Sequence, residues 1–443
     1  MMALCAPALA QSSGLIIIRD TEIENQIREW ALPIFKAADM DPDTVKIILV
    51  QDDAVNAFVA GGSNIFFYTG LLTRAENAGE IVGVLAHELG HIKGGHLIAG
   101  RKAMERASYE SILGMILGVG AAIATGDGNA AAAIGTGGAS MAQRRYLANS
   151  RVFESSADQA ALTFMQDAHM SPDGLISFLG KLESEDMLPY DQQSEYMRSH
   201  PITRDRIEAL NTRAAGSPYK DTPYPKEWDE QQARMKAKLV GFINPAQVAW
   251  DYSDRDTSLP AQYARAIAAY RTNKVEQSLK DVDGLLALEP QNPYFLELKG
   301  QMLMDFGRVR ESIPYYQKSV DILGDAPLIR MSLGHAQLES ANGNPEQIRV
   351  AITQLERSLK SEPRSTKIHR LLATAYGQLG DENEAKLHLA EEAVLQRKIS
   401  YAKKLVESVK ASSPQGSRAW IQAQDLEMHI DTLDIDEDID EDN

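Results

Sequence analysis

Cysteine is nearly missing from this chain. Cys5 is the only one in 443 residues, and it lies ahead of an expected cleavage point, so the mature chain would carry none. That suits an oxidising compartment. Basic charge is also in deficit: 45 Lys and Arg stand against 62 Asp and Glu, a formal charge of −17. The final thirteen residues, DTLDIDEDIDEDN, contain carboxylates and no base. Such a balance argues against nucleic acid as a partner. Long apolar runs are missing too. The best candidate, Ile112 to Thr125, is glycine-rich and too short to cross a bilayer.

The first residues, MMALCAPALAQSSG, read as the tail of an apolar targeting segment without its charged start, with Ala8 and Ala10 as the small residues before a cut after Ala10. Export to the periplasm is the expectation. A lipid-anchored Cys5 is the weaker alternative, because Leu4 is a poor residue to precede such a site. The stretch 112–139 reads as a helical hairpin with a loose tip, open between a lid, a peripheral membrane contact and a buried hairpin.

What is present divides into two parts. From Thr21 to Ala38 the residues Ile23, Ile27, Trp30, Ala31 and Ile34 recur at helical spacing. VKIILV (Val45 to Val50) reads as a buried strand, and NAFVAGGSNIFFYTGLL as two strands turning at Gly61-Gly62. The helical period returns in AENAGEIVGVLAHELGHIKGGH, then from about Arg144 to Asp167, after Ser171-Pro172, and near Arg204. Beyond Pro225 a repeat emerges. Ala266, Gly300 and Gly334 are 34 apart, and Ala373 follows after 39, an excess that fits the loop ANGNPEQ. Gly307 and Gly380 fall at turns, and Ser278, Ser312, Ala351 and Ala385 in second helices. Small residues at that period mark tetratricopeptide repeats, whose paired helices cross closely.

The expected boundaries are a targeting remnant at 1–10, a peptidase-like domain at 11–215, a linker at 216–225, the repeats at 226–430 and an acidic disordered tail at 431–443.

Three of the nine histidines fall within VLAHELGHIKGGH. His87 and His91 stand one helical turn apart, on one face, with Glu88 between them, the spacing of a zinc hydrolase. A catalytic zinc needs three protein ligands and one open position. His96 is a tempting third, but the same-segment pattern requires position 97, which is Leu97. NSRVFESSADQAAL instead offers Glu154, with Asp158 four residues on and facing the same way. Glu154 can complete the shell while Asp158 fixes the tautomer of a ligand histidine.

Together, His87-Glu88-x-x-His91, the SRVFESSAD segment and HPITRDRI (His200 to Ile207) resemble the zinc metallopeptidases that include HtpX and the CAAX prenyl endopeptidases. The coupling to tetratricopeptide repeats narrows the resemblance to BepA-like periplasmic proteases. The resemblance implies an α+β, gluzincin-like domain, mostly helical with a small sheet, followed by an all-α solenoid. It implies one Zn2+ per chain on His87, His91 and Glu154, with Glu88 as the general base and Asp158 behind the ligands. Asn56, Ala57 and Arg206 would contact substrate, the first two on an edge strand. His96 would brace the active-site helix.

His200 precedes Pro201 and so is biased toward an extended conformation. The resemblance implies that it is a removable fourth ligand or an oxyanion donor. The activity implied is an endopeptidase acting on misfolded or stalled exported proteins, with a chaperone role at the outer-membrane β-barrel assembly machinery through the repeats. The alternative is a non-catalytic scaffold with a latent zinc site.

Overall fold

Asp20 accepts a hydrogen bond from the Ile23 amide and starts α1 (Thr21–Ala37). The apolar stripe Ile23, Ile27, Trp30, Ala31 and Ile34 is fully buried, as its spacing requires. This computed structural model describes residues 16–99, 151–183, 188 and 192–441. The targeting remnant, Cys5 and the stretch 112–139 lie outside the described residues.

β1 (Ile17–Ile18), β2 (Lys46–Val50), β3 (Ala57–Ala60) and β4 (Asn64–Tyr68) form a sheet in the order β1-β2-β4-β3. β3 and β4 are the two strands expected to turn at Gly61-Gly62, and both glycines have positive φ, +58° and +96°. Among the described residues β3 pairs only with β4, which leaves it an edge strand of this sheet. Tyr68 N–H donates to Asn56 O in the same ladder. By antiparallel alternation, the backbone groups of Ala57 and Val59 therefore face the open edge.

The strand leads into α2 (Thr69–Arg74) and α3 (Ala78–Lys93). Asn77 caps α3 by accepting from Glu80 N–H. Every residue of α3 from Ala78 to Gly90 is buried, so this helix is the centre of its unit. α4 (151–167), α5 (Asp173–Glu183), α6 (Glu195–Ser199) and α7 (Arg204–Ala215) follow. A Cβ on Gly83 would lie 2.5 Å from the Leu175 amide nitrogen, and one on Gly174 would lie 2.1 Å from Gly79 O. Glycine at both positions lets α3 and α5 cross at backbone contact.

The chain divides into two compact units, Met1–Val240 and Gly241–Asn443. The segment 216–225, expected to be a linker, packs onto the first unit: Tyr224 Oη donates to Ser171 O at 2.7 Å, and the Tyr219 ring lies 4.6 Å from that of His169. The dividing point falls near the end of α8 (Lys226–Ile243). Trp228, Gln231, Gln232 and Lys238 of this helix contact α1 or Ala75 O.

The second unit contains five helix pairs among the described residues, from Leu259–Arg271 with Val275–Leu288 to Ile399–Ser412 with Arg418–Glu441. The register glycines sit where helices touch. A Cβ on Gly300 would lie 2.9 Å from the Tyr316 ring, and one on Gly334 2.8 Å from Leu355. The extra residues of the third repeat are not confined to the loop, because its second helix, Pro345–Ser361, has 17 residues against 15 in the repeat before. The acidic run expected to be disordered from 431 is helical through Glu441. Ala423, Leu426 and Ile430 pack that helix into the last core cluster, and extending a packed helix is far easier than nucleating one.

Candidate metal centre

The centre forms where α3 crosses α4. A Cβ on Gly90 would lie 2.7 Å from Ala157 O, so only glycine permits the approach. Glu154 and Asp158 flank Ala157 and are thereby pressed against the histidines of α3. His87 Nε2 and His91 Nε2 are 3.0 Å apart. Glu154 Oε2 lies 3.3 Å from the first and Oε1 3.4 Å from the second. Asp158 Oδ1 stands 3.0 Å from His87 Nδ1, on the far side of the ring from Glu154.

His200 arrives from the end of α6, where its N–H donates to Tyr196 O at 2.7 Å; its backbone, at φ −124° and ψ 71°, leaves the helix without reaching the fully extended conformation expected ahead of Pro201. Its Nδ1 is 3.2 Å from both Glu154 oxygens, and its Nε2 is 3.6 Å from Glu88 Oε1 and 3.3 Å from Ala57 O. One donor atom from each of His87, His91, Glu154 and His200 can be chosen so that all lie within 4.8 Å of one another.

Do these residues fit a metal? Bonds of about 2.0 to 2.1 Å in a tetrahedron put neighbouring donor atoms roughly 3.3 Å apart, close to the separations found here. All four residues are buried, and both carboxylate oxygens of Glu88, also buried, have no hydrogen-bond partner among the described residues. A buried acid that accepts no hydrogen bond, beside converging imidazoles, fits a metal-hydrolase centre.

The charges agree with that fit. Burial lowers the pKa of His87, but Asp158 and Glu154 outweigh it and hold it at about 10 without metal. Burial and then the His87 charge push His91 down to about 2. Glu154 stays well below the usual carboxylate range because His200 and His87 overcome its burial. Glu88 goes the other way, raised by burial. A metal held there would take the place of the proton on His87, among the carboxylates of Glu154 and Asp158.

Asn56 turns its Nδ2 to Glu195 Oε2 at 3.2 Å, while Ala57 presents its carbonyl to His200. Arg206 is buried, and its guanidinium meets Asp158 through two bonds, Glu154 at 3.0 Å and the Pro201 carbonyl at 2.8 Å. The guanidinium expected to contact substrate is thus engaged by Asp158 and Glu154. Tyr196, fully buried against His200 with no hydrogen-bond partner for its hydroxyl among the described residues, was not singled out in the sequence. Its helix has five residues, too few to establish a period.

Residues 18–214 match the model of peptidase family M48, and residues 263–327 match a tetratricopeptide repeat. The beta-barrel assembly-enhancing protease of Escherichia coli (strain K12) is 23% identical over 94% of this chain and 84% of its own length. The protein of that name from Yersinia pestis is 23% identical over 83% of this chain and 75% of its own. The metalloprotease YcaL of Escherichia coli (strain K12) is 29% identical over 39% of this chain and 63% of its own. No helix among the described residues is long and apolar enough to cross a membrane.

Proposed function

We propose that this chain, which joins a match to peptidase family M48 to tetratricopeptide repeats, is a zinc-dependent endopeptidase of the cell envelope with its own binding scaffold. Its substrates are misfolded or stalled exported proteins, and it assists outer-membrane β-barrel assembly. The observation that carries the reading is the convergence of His87, His91 and Glu154 beside a buried Glu88 that accepts no hydrogen bond among the described residues. Two imidazoles and one carboxylate at tetrahedral separations favour zinc over the harder cations, which prefer oxygen shells.

Zinc bound there supplies a Lewis acid that acidifies water and polarises a carbonyl. The chain's own residues do the rest. Glu88, with its affinity for protons raised by burial, accepts one from the attacking water and returns it to the leaving nitrogen. Asp158 holds the tautomer of His87, and Arg206 holds Asp158. The open edge at Ala57 and Val59 can pair with an extended peptide backbone. His200 Nε2 already stands 3.3 Å from the Ala57 carbonyl, so a peptide pairing at that position shares the oxygen with it or displaces it.

The names of the relatives support the assembly role, with the repeats as the surface that meets the assembly machinery, and a periplasmic location follows from that role together with the export expected from the first residues. The deciding experiment is a metal analysis of the purified chain together with digestion of unfolded casein, with and without a chelator. One zinc per chain and chelator-sensitive cleavage are expected. Metal-free protein that still cleaves casein would overturn the reading.

A further inference from the structure

His96 belongs to the motif stretch but is not among the converging donors. Its position has a specific cause. After α3 ends, Gly95 takes φ = +62°, a left-handed value that turns the chain back so that a helical turn at 96–99 begins above the last turn of α3. Gly94 leaves the space that the returning ring fills, for a Cβ there would lie 2.3 Å from His96 Nε2. Phe153 covers the other side, its ring stacked on His96 at 4.8 Å and 21°. The ring is 8% exposed and held on both faces.

What that pocket aims is one atom. His96 Nδ1 stands 3.1 Å from His91 Nδ1, a hydrogen-bond distance. Two ring nitrogens bond only if one carries a proton and the other does not. His91 Nε2 is the atom facing His87 and Glu154, so metal ligation there requires Nε2 bare and the proton on Nδ1. His96 Nδ1 must then accept it.

We propose that His96 is a positioning residue that fixes the tautomer and orientation of His91, as Asp158 does for His87. This rests on the metal-centre reading above. It also assigns the two glycines: Gly95 turns the chain and Gly94 admits the ring. The third histidine of the motif acts through the second, not on the metal.

Three variants of the full chain test this, each loaded with zinc alone and titrated with a competing chelator. His96→Leu keeps bulk but no acceptor, and should weaken zinc retention by roughly 10- to 100-fold, the usual cost of losing such a partner. His96→Asn places an amide oxygen near the former Nδ1 and should recover most of that loss. Gly94→Ala, at an ordinary φ of −74°, leaves His96 intact but pushes its ring away, and should weaken zinc in the same direction as leucine. Melting of the zinc-free proteins shows whether any loss is only unfolding.

Leucine retaining zinc like the wild type would overturn the inference, as would asparagine failing as badly as leucine, or losses that merely track zinc-free stability. A wild type that binds no zinc would overturn the metal-centre reading itself, which separates the two failures.

Discussion

Arg206 grips Asp158 with a two-pronged bond, Nε to Oδ2 at 2.8 Å and Nη2 to Oδ1 at 2.9 Å, across 48 residues of sequence. Burial pushes the Asp158 pKa up, and His87 and Arg206 together bring it below the usual range. Breaking the pair therefore leaves a buried carboxylate with His87 and no guanidinium to balance it. Arg206→Met should cost about 3 to 5 kcal/mol in the stability of the zinc-free first unit, read by denaturant unfolding. Arg206→Lys should restore charge but not the fork, and recover only part. A variant of normal stability with only a raised KM would return Arg206 to the substrate-contact role that the sequence suggested.

Glu88→Gln preserves shape and removes the proton acceptor. Turnover should fall by roughly a hundred- to ten-thousand-fold, the range for a general base, with zinc content unchanged. Among the described residues the buried oxygens of Glu88 accept no hydrogen bond, so the neutral amide breaks none and the fold should keep its stability. Normal casein cleavage by this variant would refute the assigned role.

Cutting the chain after Tyr224, where the sequence suggests a boundary, should yield an unstable peptidase unit. Trp30 is fully buried, lies 6.1 Å from the Trp228 ring and donates to Gln231 at 2.8 Å. Gln232 and Lys238 add bonds to Ala75 O, Asp20 and Glu22. Exposing a buried tryptophan costs on the order of 2 to 3 kcal/mol before those bonds are counted. A chain ending after Ile243 should melt cooperatively at a clearly higher temperature; equal melting of the two would place the boundary back at 216–225.

Much of this was legible because it is periodic. The buried stripe of α1, the four-residue steps from His87 to His91 and from Glu154 to Asp158, and the 34-residue register all follow from helical geometry. The fifth helix pair escaped because its register position, 34 beyond Ala373, is Glu407 and not a small residue. The two-pronged bond of Arg206 and the closure of His200 over Glu154 span 48 and 46 residues, and no local pattern encodes them. His96 was visible as a histidine, but its partner depends on a glycine turn whose outcome is three-dimensional.

The second unit should respond to acid through His388. Its Nδ1 lies 3.1 Å from His369 Nδ1, while His369 Nε2 is 3.3 Å from Pro363 O, and the Tyr376 ring stacks on His388 at 5.7 Å. Tyr376 in turn donates to Glu356, so that carboxylate is engaged away from the imidazole. Burial, and then the charge of His369, lower the His388 pKa from 6.5 to about 4. A histidine whose pKa is depressed on folding gives stability that is complete above the unfolded value and is lost as pH falls through the folded one. The window is pH 6.5 down to about 4, and the size is about 3 kcal/mol at most. Hydrogen exchange of the helices Thr366–Leu379 and Glu382–Leu395, compared at each pH with His388→Phe, reads this locally. The wild type should lose protection relative to the variant only below pH 6.5, and a constant difference from pH 7 to 4 would show that His388 does not titrate within the folded repeat.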